Sequence, residues 1–119
     1  MSTDRARRVA KQVLHEISTI VELEMKDPRL SVVTFTDARM SADLRRARIW
    51  FSCLDPEHNR SSSEQALARA GGYLRREIGR RLRLRYVPDL SFEYDDSTDR
   101  ADRISRLLRG GEPPHGERH

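Results

Sequence analysis

The sequence predicts an α+β domain in which helices cover one face of a small three-stranded mixed sheet. Three observations carry that prediction. Apolar residues at helical spacing open the chain, two alternating β-like runs follow at hairpin distance, and a second long helical pattern leads to a third alternating run. A hairpin followed by a helical crossover returns the third strand parallel to the second, in the right-handed sense. With 119 residues the chain has room for one ordinary domain.

The first element runs from about Asp4 to Lys26, where Val9, Val13, Ile17, Ile20, Val21 and Glu24/Met25 follow helical spacing. Asp27-Pro28 stops it, because proline disfavours the helical conformation of the residue before it. Ser31 to Met40 is a β-like run rich in β-branched residues around Phe35. Arg45 to Leu54 alternates, with Ala47, Ile49, Phe51 and Cys53 on one side and Arg46, Arg48, Trp50 and Ser52 on the other. The short Ser41-Ala42-Asp43-Leu44 link between them favours an antiparallel hairpin.

Asp55 to Arg60 reads as a loop, and Ser61 to Glu64 as the N-cap of the next helix, with capping-box spacing between Ser61 and Glu64. That helix extends to about Arg83 with Leu67, Ala70, Leu74, Ile78 and Leu82 on one face. Ala70-Gly71-Gly72 interrupts it. Paired glycines cost roughly 1 kcal/mol each against alanine inside a helix, so a kink between two helices is expected there. Val87 to Tyr94 then alternates Leu90, Phe92 and Tyr94 inward against Asp89, Ser91 and Glu93. Ile104, Leu107 and Leu108 predict a short last helix over Asp99 to Arg109. The domain is thus expected over residues 4–109. Gly110 to His119 holds three of the six glycines and two prolines and reads as a disordered tail.

Charge sets the candidate partners. Apolar residues make up 36% of the chain and charged residues 35%, which leaves a small core under a crowded surface. Lys11 and Lys26 are the only lysines among 23 basic residues, so 21 are arginines, whose flat fork of donors suits phosphate and stacks on bases. Arg75 to Arg85 carries six arginines against Glu77, a net +5, Asp89 to Asp102 a net −5, and Asp4 to Lys11 a net +3. Opposite blocks this close suggest a domain with a basic and an acidic side. A basic single domain makes nucleic acid the first partner to test. No run approaches the roughly 20 apolar residues of a membrane span, and no signal-peptide stretch opens the chain. One cysteine excludes an internal disulfide framework. The expectation is a cytoplasmic protein without a membrane segment.

The candidate contact residues follow from those blocks. Arg75, Arg76, Arg80, Arg81, Arg83 and Arg85 begin three residues beyond Gly72, and positive charge on a rigid rod beside bare backbone suits phosphate. The same residues also fit a solvated face that aids solubility. Arg5, Arg7, Arg8 and Lys11 at the start of the first helix carry the same two readings. Arg45, Arg46 and Arg48 with Trp50 form a basic strand with an aromatic platform for bases, or else the tryptophan covers the sheet edge. Gly71 and Gly72 read first as structural, and second as a place where a phosphate reaches the backbone.

Several stretches carry a family resemblance. They are Lys26-Asp27-Pro28-Arg29-Leu30, Met40-Ser41-Ala42-Asp43-Leu44, Ala70-Gly71-Gly72, Leu82 to Leu90 (LRLRYVPDL) and Phe92 to Ser97 (FEYDDS). In this order and spacing the chain resembles the bacterial ribosome-binding factor A family over about residues 5–108. That family has the type II KH-like architecture, with an Ala-x-Gly kink in place of a GxxG loop. The resemblance implies a non-enzymatic assembly factor that binds the 30S ribosomal subunit and its 16S rRNA near the 5′-terminal helix. It implies action late in rRNA processing, support of growth in the cold, and a monomer when free, with neither catalytic residues nor a cofactor.

Two other classes stay open: a generic basic KH-type RNA-binding module or protein adaptor, and a small metal-dependent nuclease. The nuclease would use Asp95, Asp96, Asp99 and Asp102 to hold a divalent ion. The plainer reading of that stretch is a strand end and a helix cap. Cys53 falls on the apolar face and reads as a core residue. His15 has no acid partner at a telling distance, His58 falls in a loop, His115 and His119 fall in the tail, and no P-loop, zinc spacing or dinucleotide fingerprint occurs.

Overall fold

The computed structural model describes residues 3–96. Helix α1 spans Asp4–Thr19, capped by the Thr3 hydroxyl, which accepts from the Ala6 N–H. Its last turn widens into a π-helical stretch over Ile20–Glu24, closed by the Met25 N–H donating to the Ile20 carbonyl. The helical segment ends at Glu24, with Met25 already extended, two residues short of the expected end at Lys26, and Pro28–Leu30 forms one 3₁₀ turn capped by the Asp27 carboxylate.

Strands β1 (Val33–Met40) and β2 (Arg46–Cys53) pair antiparallel, with a bulge between Phe35 and Asp37. Strand β3 (Asp89–Tyr94) pairs parallel to β2, so the sheet order is β1-β2-β3, as the connectivity requires. The alternation along β2 holds: Ala47, Ile49 and Phe51 are buried, while Arg46 and Arg48 are exposed and Trp50 is half-buried. Burial of one face fixes this register, since a slip of one residue would put Arg48 into the core.

The middle helical segment needs two corrections. It is a single helix, α2, over Pro56–Leu82, and it runs without a break through Ala70-Gly71-Gly72. Ser63, Ala66, Leu67, Ala70, Leu74 and Ile78 form one buried stripe along it. Both halves are therefore pinned to the same core. Burying a large apolar side chain gains about 1.5–3 kcal/mol, and several of them outweigh the glycine penalty. The helix also begins earlier than the serine run. Pro56 takes the first helical position, where its missing N–H is not needed, so Asp55 to Arg60 is the turn into the helix and its first turn. Ser63 is instead fully buried, its hydroxyl donating to the Arg29 carbonyl and tying α2 to the 3₁₀ turn.

Between helices and sheet lies one core, with Val13, Ile17, Ile20, Ile49, Phe51, Leu67, Leu74 and Ile78 fully or almost fully enclosed. Phe51 meets Tyr94 edge-on at 5.7 Å between ring centroids. Cys53 is half-buried beside this core, and burial pushes its thiol pKa up. The other sheet face carries Arg39, Arg46, Arg48 and Trp50. The expected helix over residues 99–109 and the tail over 110–119 lie outside the described residues.

Candidate RNA-binding interface

At the hairpin end of the sheet, where β1 stops and β2 and β3 start, basic residues from four segments converge. The turn itself fixes the geometry. The Ser41 hydroxyl donates to Asp43 and accepts from the Arg45 and Arg46 N–H groups, and the Asp89 N–H donates to the Arg45 carbonyl. This places Arg45 beside the connection from α2 to β3. There its guanidinium stacks on the Tyr86 ring at 4.1 Å, and Arg85 lies over the same ring at 5.6 Å.

Arg75 and Arg76 of α2 complete a shallow hollow around Tyr86, with Val87 and Asp89. Arg75 is a clip rather than a free charge. It donates to the Pro88 and Val87 carbonyls at 3.1 Å each and approaches Asp89 at 3.5 Å. Arg76 lies alongside Gly72, where a Cβ would stand in ordinary contact, 3.6 Å from its guanidinium.

The rest of the basic set continues around the same end. Arg39, Arg46 and Arg48 wall a trough on the open sheet face, between Ser41, Asp89 and Ser91. Arg7 and Lys11 of α1 line a neighbouring hollow with Asp37 and Arg39. Arg7 is paired with Asp4, while Arg5 and Arg8 are exposed on the same helix. Among the described residues Arg39, Arg45, Arg46, Arg76, Arg83 and Arg85 form no ion pair.

Two arginines of the same run are placed differently. Arg81 bonds Glu24 at 2.6 Å, Glu77 at 3.1 Å and Glu16 at 3.5 Å, joining α2 to α1. Glu24 foremost, with Glu77 and Glu16, holds the Arg81 guanidinium proton more tightly than usual. Arg80 pairs with Glu77 at 2.7 Å, and these two arginines, Arg80 first, lower the Glu77 pKa. Sequence reasoning did not single out Arg39 and Tyr86. An arginine next to the end of β1 and a tyrosine directly after Arg85 were the available signals.

Comparison with known proteins adds a family to this geometry. The family model of ribosome-binding factor A matches residues 5–108. Ribosome-binding factor A of Thioalkalivibrio sulfidiphilus is 42% identical over 104 residues, covering 87% of this chain and 81% of the relative. That of Acetivibrio thermocellus is 40% identical over 106 residues, covering 88% and 86%. The chain belongs to the ribosome-binding factor A family. The crystal structure of ribosome-binding factor A from Thermus thermophilus aligns with a TM-score of 0.61 at 26% identity, covering 75% of this chain and 94% of that one. A homology model of the Thermus thermophilus protein, fitted into the cryo-EM map of a 30S complex, has the same fold at 24% identity and a TM-score of 0.58, covering 80% and 96%. The shared fold is the KH-like α+β arrangement described above.

Three of the stretches that carry the family resemblance are joints of this fold. Lys26 to Leu30 makes the turn out of α1. Met40 to Leu44 makes the hairpin, closed by the Leu44 N–H on the Ser41 carbonyl with Leu44 in the left-handed region at φ 63°. Leu82 to Leu90 ends α2 with Arg83 at φ 51° and leads through buried Pro88 into β3. Ala70 packs in the core, whereas an added Cβ at Gly71 would meet nothing within 4 Å.

Of the acidic cluster, Asp99 and Asp102 lie outside the described residues. Asp95 accepts from the Thr36 hydroxyl at 2.7 Å. Among the described residues no group of three or more His, Cys, Asp or Glu is placed to hold a metal, and no helix is long and apolar enough to cross a membrane.

Proposed function

We propose that this chain binds the maturing 30S ribosomal subunit through 16S rRNA, acting in the cytoplasm as an assembly factor that catalyses no reaction. Relatives at about 40% identity carry the name ribosome-binding factor A, and membership of that family favours a ribosomal partner over RNA in general. The observation that carries the proposal is the convergence of Arg39, Arg45, Arg46, Arg76 and Arg85 at the hairpin end, none in an ion pair among the described residues. Guanidiniums without carboxylate partners keep their donors for phosphate, and each phosphate they neutralise releases counterions. Arg48, Arg5, Arg8, Arg7 and Lys11 extend this surface. Arg75 positions the Tyr86 connection, while Arg80 and Arg81 serve the joint between the helices.

Co-sedimentation with separated ribosomal subunits across a salt series tests this reading. The expected result is recovery with the small subunit alone, falling steeply as salt rises. Equal recovery with both subunits would reduce the function to that of a generic RNA-binding module, and recovery with neither would overturn it. Incubation with labelled RNA, with and without EDTA, separates the nuclease reading. The RNA should stay intact in both, and binding should survive the chelator.

A further inference from the structure

The hollow around Tyr86 lies on the helix side of the hairpin, but the opposite sheet face carries its own aromatic. Trp50 stands in the middle strand, half-buried, facing away from α1 and α2. The Arg48 guanidinium lies over its ring at 5.0 Å and that of Arg39 at 5.9 Å. Towards the hairpin the face opens into the trough walled by Arg39, Arg46 and Arg48. Ala47, Asp89, Leu90 and Ser91 also line it.

We propose that this face binds a short stretch of unpaired RNA, one base stacking against Trp50 and its two arginines while the following phosphates lie along Arg46 and Arg39. The proposal rests on the RNA-binding reading above and gives it a second, strand-selective site. Three features support it. An indole flanked by guanidiniums is a surface of flat, electron-rich and cationic groups, which suits base faces of any sequence. The acids beside it have partners: Glu93 pairs with Arg48 at 2.6 Å, Asp89 on the trough wall approaches Arg75 at 3.5 Å, and Asp37 accepts from the Ala38 N–H at 2.8 Å. Arg39 and Arg46 meanwhile form no ion pair among the described residues, so the trough offers cations where phosphates would pass. A base held in a duplex cannot reach the ring, so the site selects for unpaired strands.

Trp50 is the only tryptophan in the chain, so its fluorescence reports on this face alone. Titrating the full chain with a ten-nucleotide oligouridylate and a ten-nucleotide oligoadenylate should quench the emission saturably. A blunt RNA duplex of the same length should leave it nearly unchanged. Trp50→Ala should weaken binding of the labelled single strand by about 5- to 100-fold, and Trp50→Phe should keep most of the affinity. Arg39→Gln with Arg46→Gln should make the salt dependence shallower by about 1.4, at about 0.7 per single-strand phosphate, leaving Trp50 itself intact.

Absence of quenching, or equal quenching by the duplex, overturns the proposal. Quenching by 30S subunits but by neither oligonucleotide would put a ribosomal protein or folded rRNA on this face, and likewise overturns it. The two readings fail separately. If small subunits still pellet the chain while no single strand quenches Trp50, the ribosomal reading stands without the stacking site. If single strands quench but subunits do not bind, the site stands without the ribosome.

Discussion

Around Arg81, three glutamates from two helices close on one guanidinium. Around Tyr86, five residues along the chain, the guanidiniums of Arg45 and Arg85 gather on an aromatic ring and neither forms an ion pair among the described residues. Both regions draw on the same basic run, and its charge is spent in opposite ways. At the joint between helices it is neutralised where two elements must meet. At the hairpin end it is left for a ligand. Positive charge in a sequence is therefore a poor guide to binding until the acids that meet it in three dimensions are known.

The strongest way to break this contrast is to empty the hollow. Arg45→Ala, Arg76→Ala and Arg85→Ala together should lower affinity for small subunits more than tenfold near physiological salt. The salt dependence should become shallower by about 2 to 3, at roughly 0.7–0.9 per lost phosphate contact. The melting temperature should move little, because none of the three is buried or ion-paired among the described residues. Co-sedimentation and a thermal scan on the same preparation check this. Unchanged affinity would assign the binding to another face.

The converse variant is Arg81→Met, which removes the charge and keeps much of the apolar stem. It should lower the melting temperature by several degrees at pH 7 and leave subunit affinity of the folded protein within about twofold. Its pH dependence follows from Glu77, whose folded pKa lies below its ordinary 4.5 through Arg80 and then Arg81. A depressed carboxylate pKa contributes stability that is present above 4.5 and lost as pH falls through the folded value. The difference in melting temperature between parent and variant should thus narrow below about pH 4.5. A gap that stays constant from pH 7 to pH 3 would show that the loss came from packing rather than charge.

What the sequence made legible was local. The β2 alternation is visible because Ala47, Ile49 and Phe51 are buried on one face, and the end of the first helix is legible to within two residues because proline keeps its immediate neighbour Asp27 extended. The unbroken helix was hidden for the opposite reason. Gly71-Gly72 signals a break locally, and it is overruled by Leu67, Leu74 and Ile78, which sit on either side of the pair and share one core. Asp55-Pro56 reads as a turn by composition, yet a proline costs nothing at the first helical position. The split of the arginine run was half legible. Arg81 sits about 140° around the helix from Arg76, with Glu77 one turn away, but Glu16 and Glu24 are brought to it only by the tertiary fold.

Two glycines of α2 give the smallest and sharpest test. Gly79 lies under the connection that carries Tyr86. A Cβ there would stand 2.7 Å from Val87 Cγ2, closer than packed carbons allow, and 3.3 Å from its Cγ1. Gly79→Ala must therefore turn the Val87 side chain aside or shift the connection that carries it, at a cost of about 1–3 kcal/mol, and it should loosen the hollow and weaken subunit binding as well. Gly71→Ala adds its methyl to open space in mid-helix, where alanine is favoured over glycine by about 0.5–1 kcal/mol. The melting temperature should rise and binding stay the same, since the hairpin end is untouched. If Gly71→Ala stabilises the fold yet weakens binding, RNA approaches the bare helix backbone beside Arg75 and Arg76, and the contrast between joint and hollow would extend to a third surface along α2.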